Sequence, residues 1–281
     1  MKKLVISLVV VLGLFVVADY AIAATAEYQL SQRMRTQLNI TEDPDVRING
    51  FPFIYQALTG DYPNVEIRAV GVPLTKDGKV KVEGEVRLRH ARASLSDLIA
   101  GNTQDMRVDE VLGAVKVTAS DVGKMIGIPD LKIENASQEE LNNLQNDVNR
   151  VKEQEEPPKP PLAGTVQDEE KRKAMVRLTG STTIAGTKTE VTVLGVIQIV
   201  EGQVEIKPNT LKLGNSKSGG DIALPPVVER AARAAFTTRV NLGGLPFTVV
   251  PTAVRVERDQ LVMEALAKDV QLRTLTGRMG Q

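Results

Sequence analysis

From Lys79 to His90 the chain alternates without a break. Lys79, Lys81, Glu83, Glu85, Arg87 and Arg89 fall on one side, and Val80, Val82, Gly84, Val86, Leu88 and His90 on the other. Two is the period of a β-strand, whose successive side chains point to opposite faces. One face of this strand is therefore charged and the other nearly all aliphatic, the signature of an antiparallel sheet with one wet and one covered side. The period returns at Val191, Val193, Gly195, Ile197 and Ile199, at Val204 and Ile206, at Val254 and Val256, and at Val270 and Leu272. Several of these runs exceed the usual strand of about five or six residues. The chain is mostly long, one-sided aliphatic sheet, and what covers that face decides its function.

Composition narrows the functions such a sheet can serve. A length of 281 residues allows one large β-rich domain or two modest ones. Lys plus Arg and Asp plus Glu both number 35, so no overall field recruits nucleic acid or an acidic polymer. Aromatic residues make up 3% and Trp is absent, which argues against a base-stacking or sugar-binding platform. Cys is also absent, removing disulfides, thiol chemistry and thiolate metal sites together.

The N-terminus reads as an export segment, with Lys2-Lys3 followed by an apolar run from Leu4 to Val17. Ala21-Ile22-Ala23 then offers a small-x-small cleavage site. An uncleaved anchor fits as well, since counting on to Ala24 reaches the roughly 20 residues that span a bilayer. Asp19 and Tyr20 interrupt that stretch, and an Asp in mid-membrane is costly unless it lies at the outer interface, with the lysines inside. Residues 1–24 are thus expected to be a signal peptide or a membrane anchor, and the protein to act outside the cytoplasm.

Beyond this segment, Ala26, Leu30, Met34 and Leu38 recur every fourth residue and predict an amphipathic helix, ended by Thr41 to Pro44. Strands are expected from Val65, after the hairpin signal Asp77-Gly78, across Met106 to Val117, and from Met175 to Leu213 with turns at Ala185-Gly186 and Glu201-Gly202. Short helices are expected near Ser94–Ala100 and Ser120–Ile126, the second stopped by Pro129. Ser137 and Glu140 form a capping box for a mostly polar helix, which runs into Pro157-Pro158-Lys159-Pro160-Pro161, an extended linker. Gly214 to Gly220 reads as a loop. A second amphipathic helix starts at Pro225-Pro226 and is expected to end near Asn241 to Gly244, and two strands joined at Arg258-Asp259-Gln260 close the chain. Both long helices are followed by Gly-apolar-Pro-Phe, at Gly50–Phe53 and at Gly244–Phe247. The fold class expected is α+β, a long curved antiparallel sheet around amphipathic helices. Residues 25–134 and 175–281 would form one α+β domain, with 135–174 an insertion.

A catalytic kit is missing. His90 is the only histidine, which excludes multi-histidine metal sites and mechanisms. In phase with an aliphatic strand face, it reads as a hydrogen-bonded core or strand-end residue rather than as part of a triad. No G-x-S-x-G elbow, Walker loop or G-x-G-x-x-G is present. Glu139-Glu140 and Glu169-Glu170 lie in polar segments and read as solvated faces. No enzyme activity, cofactor, metal or nucleic-acid partner is expected. What remains is an exported aliphatic sheet with two covering helices. A partial seal would leave an apolar channel for acyl chains, and a full one an ordinary packed core; periodicity alone leaves both open.

Val46-Arg47-Ile48-Asn49-Gly50-Phe51-Pro52-Phe53-Ile54-Tyr55-Gln56-Ala57-Leu58-Thr59-Gly60, preceded by the stretch from Asp19 to Leu38 and followed by Val65-Glu66-Ile67, resembles the LmeA-like phospholipid-binding family of actinobacterial envelope proteins. Leu245-Pro246-Phe247 and the strand pair from Ala253 to Ala265 resemble it too. The resemblance covers most of residues 19–125 and 175–273. It implies a fold similar to the tubular lipid-binding (BPI-like) domains, with a long helix in a curved sheet beside an apolar cavity. It also implies binding of phospholipid, with phosphatidylinositol the associated headgroup, and a role in envelope lipid or lipoglycan maturation. No catalytic motif comes with it.

The expected function is non-enzymatic phospholipid binding or carriage at the outer surface of the cytoplasmic membrane. A structural envelope adaptor with a solid core, or an accessory factor or cryptic hydrolase in lipoglycan synthesis, are the alternatives. Phe51, Phe53, Tyr55 and Phe247 are expected to border a cavity mouth or seal its wall, with Ile54 and Leu58 lining it; plain core packing is the alternative. Arg47 and Arg239 precede the two Gly-apolar-Pro-Phe segments at nearly equal offsets, and each guanidinium can clamp a phosphate with two hydrogen bonds.

Overall fold

The computed structural model describes residues 2–73, 78, 80–100, 102, 106–136, 172–184, 187–200, 203–213, 238–241 and 250–271. Within these, the chain is α+β. Four helices, α1 (Lys2–Leu38), α2 (Phe53–Thr59), α3 (Leu95–Ala100) and α4 (Ala119–Ile126), accompany eleven strands. The strands are β1 (Asp45–Asn49), β2 (Asp61–Pro73), β3 (Lys81–Arg92), β4 (Arg107–Thr118), β5 (Lys132–Asn135), β6 (Lys173–Ile184), β7 (Thr187–Val200), β8 (Gln203–Leu213), β9 (Thr238–Asn241), β10 (Val250–Glu257) and β11 (Gln260–Gln271). One sheet runs β1-β2-β3-β4-β11-β10 and the other β5-β6-β7-β8-β9. The chain divides into two compact units, residues 1–114 with 245–248 and 266–281, and residues 115–244 with 249–265.

In the first unit the alternation seen in the sequence becomes a wet face and a covered face. Arg68 pairs with Glu83 at 2.6 Å, Arg87 with Glu66 at 3.0 Å, Arg89 with Glu110 at 2.9 Å and Arg92 with Asp109 at 2.7 Å, a cross-strand ladder on the exposed side of β2, β3 and β4. On the other side Val46, Ile48, Val65, Leu88, Val108 and Val111 form a core with Ala26 and Leu30 of α1, Phe53 of α2 and Leu98 of α3. The amphipathic stripe of α1 therefore covers the sheet of its own unit.

The phase does not hold to the end of β3. His90 has a backbone φ of 50°, and Ala91 rather than His90 is buried. Its partner strand changes face at the same level, with Tyr62 opposite Ala91 and Val65 opposite Leu88 all buried. His90 thus leaves the aliphatic face. Half exposed near the strand end, its Nδ1 lies 3.3 Å from Asp61.

Tyr62 carries a cost of its own. It is fully buried, and its hydroxyl has no hydrogen-bond partner among the described residues. Burial raises the phenol above its ordinary value of 10.0. Tyr62→Phe removes the desolvated hydroxyl and should raise stability by about 1–3 kcal/mol, read by urea denaturation. In the wild type, the neutral phenol is kept in the folded state while the unfolded chain ionises. Stability should hold below pH 10 and fall as pH rises above it, and the variant should lose that part of the decline.

In the second unit, strands β5 to β8 pair antiparallel in sequence order, and β9 joins the open edge of β8. β10 packs against β5, β6 and β7. As a result β7 is buried on both faces from Val191 to Gly195, where a one-sided strand was expected. The turn between β10 and β11 holds Arg258 and Asp259 at φ 46° and 64°, suited to a tight hairpin. The Asp259 carboxylate accepts the Ile133 N–H at 2.8 Å, and its carbonyl accepts the Ala119 N–H at 3.0 Å.

Two local expectations are corrected. The second amphipathic helix does not extend to Asn241, since Thr238–Asn241 is a strand whose ladder partner is Gln203–Ile206 of β8. β5 has no counterpart in the sequence reading, being four residues long with a single buried side chain, Ile133. The capping-box helix, the proline linker, both carboxylate pairs, the turns at 185–186 and 201–202, the loop at 214–220, the body of the second amphipathic helix, Phe247 and Leu272 lie outside the described residues.

Candidate functional site

The site grows from α1. The N-terminal apolar segment and the amphipathic segment are one unbroken helix, with Leu4 to Val17 exposed along its first part and Ala26, Leu30 and Ser31 buried further on. Polar ties run down the second part. Glu27 accepts the Ile48 N–H at 2.7 Å on the open edge of β1, Ser31 donates to the Pro44 carbonyl, and Gln32 and Arg35 both hold Asp43.

The strongest tie is Asp19, only 2% exposed despite its charge. Its two carboxylate oxygens accept the N–H groups of Phe53 and Ile54, each at 2.8 Å. These are the opening residues of α2, whose own N-cap is Pro52 and supplies no side-chain cap. A helix start leaves its first N–H groups without internal partners, and a carboxylate there also complements the helix dipole. Asp19 is therefore the cap of α2, supplied from 34 residues earlier in the chain.

The Gly-Phe-Pro-Phe segment owes its glycine to this packing. Gly50 has φ 120°, and a Cβ there would lie 2.7 Å from the Gln56 amide nitrogen. The Phe51–Pro52 peptide bond is cis. At the far end of α2, Gly60 caps the helix at φ 69°, where a Cβ would meet the Ala93 carbonyl oxygen at 2.9 Å.

The sequence-predicted residues separate into two groups. Phe53 is 1% exposed and packs against Tyr62, with ring centroids 6.4 Å apart, and Ile54 is partly buried beside it. Phe51, Tyr55 and Leu58 are exposed, and Tyr20 of α1 stacks on Phe51 at 6.2 Å. An apolar and aromatic cluster thus forms where α1 meets α2. Arg47 is exposed on β1 and pairs with Asp45 at 3.4 Å. Arg239 lies in β9, opposite Glu205 in the ladder, in the other compact unit.

A cleft of about 280 Å3 opens between α1 and α3, lined by Ala21, Ile22, Thr25, Ala26, Gln29, Leu95 and Ile99. It uses the next stretch of α1 after Asp19, and none of the predicted site residues lines it. The signal for it was present in the sequence, as small and apolar residues at 21, 22, 25 and 26 share one helical face. The signal for Asp19 was also present: an ionisable residue in an apolar run has by default a partner or a function.

No curated protein and no solved structure matches the chain. A family model, described as LmeA-like phospholipid-binding, matches residues 17–265, taking in Asp19, the Gly-Phe-Pro-Phe segment, α2, strands β1 to β10 and the first half of β11. Nearly the whole chain is accounted for by that match, and the protein belongs to the LmeA-like phospholipid-binding family.

Proposed function

We propose that the protein is a non-enzymatic phospholipid-binding module of the cell envelope, working at the outer surface of the cytoplasmic membrane. The observation that carries this reading is the apolar cleft between α1 and α3, in a chain whose family binds phospholipid. At about 280 Å3 it is slightly smaller than most ligand pockets, which run from roughly 300 to 1,000 Å3. That suits part of one acyl chain rather than a whole phospholipid. The exposed Phe51, Tyr55 and Leu58 contact the remaining lipid, with Phe53 and Ile54 as the wall behind them, and Phe247 serves the same purpose at the second Gly-apolar-Pro-Phe segment. Residues 25–134 and 175–281 act as one tubular, BPI-like lipid-binding domain, a reading supported by a single family match over residues 17–265, and 135–174 is an insertion in it. Phosphatidylinositol is the headgroup and lipoglycan maturation the process this reading favours.

Native mass spectrometry of protein extracted from membranes tests it, and co-purifying phospholipid is the expected result. Absence of lipid together with no binding to phospholipid vesicles would sink the proposal in favour of a structural adaptor. Headgroup recognition is assigned to Arg47 and Arg239. Charge reversal at both, measured at physiological salt to suppress weak surface effects, should weaken binding to anionic vesicles more than to zwitterionic ones. Equal loss for both lipid classes would remove the arginines from the site.

A further inference from the structure

Cleavage after Ala23 would sever Asp19 from the fold. The N–H of Phe53, a residue 1% exposed, would lose its acceptor, and α2 would lose its cap. The family match begins at residue 17, ahead of the cleavage site, so the matched domain itself includes Asp19. Both observations treat residues 17–24 as part of the folded protein rather than as a leader.

We propose that the apolar half of α1 is kept as a permanent bilayer anchor, and that Tyr20, Phe51, Tyr55 and Leu58 form the surface resting in the bilayer interface. Asp19 is what makes this geometry work. An exposed carboxylate would end the membrane-compatible stretch, but this one is turned into the protein and its oxygens are held by two backbone N–H groups. The outward side of the helix remains apolar past it, through Tyr20 and Ile22 to Ala24. From Leu4 to Ala24 is about 20 residues, or roughly 30 Å of helix, the thickness of a bilayer's hydrocarbon core. By length and composition, α1 is long and apolar enough to cross a membrane.

The same two hydrogen bonds fix α2 beside the outer end of that span. Its exposed large hydrophobic residues are Tyr55 at 66% and Leu58 at 82%, preceded by Phe51 at 54%. Tyr20, stacked on Phe51, is 64% exposed. Large apolar and aromatic groups left in water at the end of an apolar helix match the belt that anchors membrane proteins at the headgroup level. The occupant of the surface is the bilayer because the surface is continuous with the helix that crosses it.

The full chain, expressed in an exporting bacterial host, supplies the test. After alkaline carbonate washing, the protein should stay with the membranes, and its intact mass should include residues 2–24. A mature chain starting at or after residue 20 would overturn the anchor. For the docking surface, the natural absence of Cys allows single-site labelling without other changes. Leu58→Cys and Arg87→Cys, carrying a fluorophore in vesicles of brominated phosphatidylcholine, should differ several-fold in quenching, with the Leu58 site the more quenched. Equal quenching at the two sites would overturn the surface. Neither readout requires a bound phospholipid ligand, so failure here and failure of the lipid-binding reading are separable.

Discussion

Phe53→Ala is expected to lower the unfolding free energy by about 3–5 kcal/mol, the range for emptying a large aromatic site in a packed core. The ring is 1% exposed and shares its cluster with Ala26 and Leu30 from α1, Val46 and Ile48 from β1, and Tyr62 and Val65 from β2. These neighbours are held by the strand ladder between β1 and β2 and by the polar ties of α1, so they cannot close in on the space left. Two residues on, Tyr55→Ala should change stability by no more than about 0.5 kcal/mol, because its side chain is mostly in water. Guanidinium denaturation of both variants reads the contrast, and similar midpoints would contradict the packing. Vesicle binding by the folded fraction then separates roles. A Phe53→Ala protein of lower stability but unchanged affinity would make Phe53 core alone, whereas Tyr55→Ala should lose affinity with stability intact.

Asp19→Ala should cost about 1.5–5 kcal/mol. Losing a helix cap costs roughly 0.5–2 kcal/mol, and a buried donor left without an acceptor adds about 1–3 kcal/mol. Both losses fall on the start of α2, where Asp19 holds the N–H groups of Phe53 and Ile54 and Pro52 contributes no side-chain acceptor. Asp19→Asn keeps one acceptor oxygen and should lose less than half as much. Amide hydrogen exchange locates the effect. Phe53 and Ile54 should lose protection in Asp19→Ala, while Val65 and Leu88 in the neighbouring strands fall only as far as overall stability falls. Uniform loss across the unit, or no loss at α2, would show that Asp19 is not its cap.

These two residues mark how far the sequence could be read. The strand period of 80–89 was legible because one face of β3 meets water and the other the core, and that division is written into every second residue. The stripe at Ala26 and Leu30 was legible for the same reason, at the helical period. The Gly50–Phe53 segment could be recognised, but its division into a buried Phe53 and an exposed Phe51 could not. Nothing in the order of four residues says which aromatic turns inward.

The sequence by itself determined the α+β class, most strand and helix positions, the apolar helix and the family, because burial against one neighbouring layer imprints a local period. Only the tertiary structure decided what Asp19 does, where β3 and β2 change face, why β7 is buried on both sides, and that Thr238–Asn241 joins β8 as a strand. Each of these depends on a partner far away in the chain: α2 for Asp19, Asp61 for His90, β10 for β7, and β8 for β9. A hydrogen bond between residues 34 apart leaves no periodic trace, so the residue that reads in sequence as a flaw in an apolar run is, once folded, the cap that holds the run to the protein.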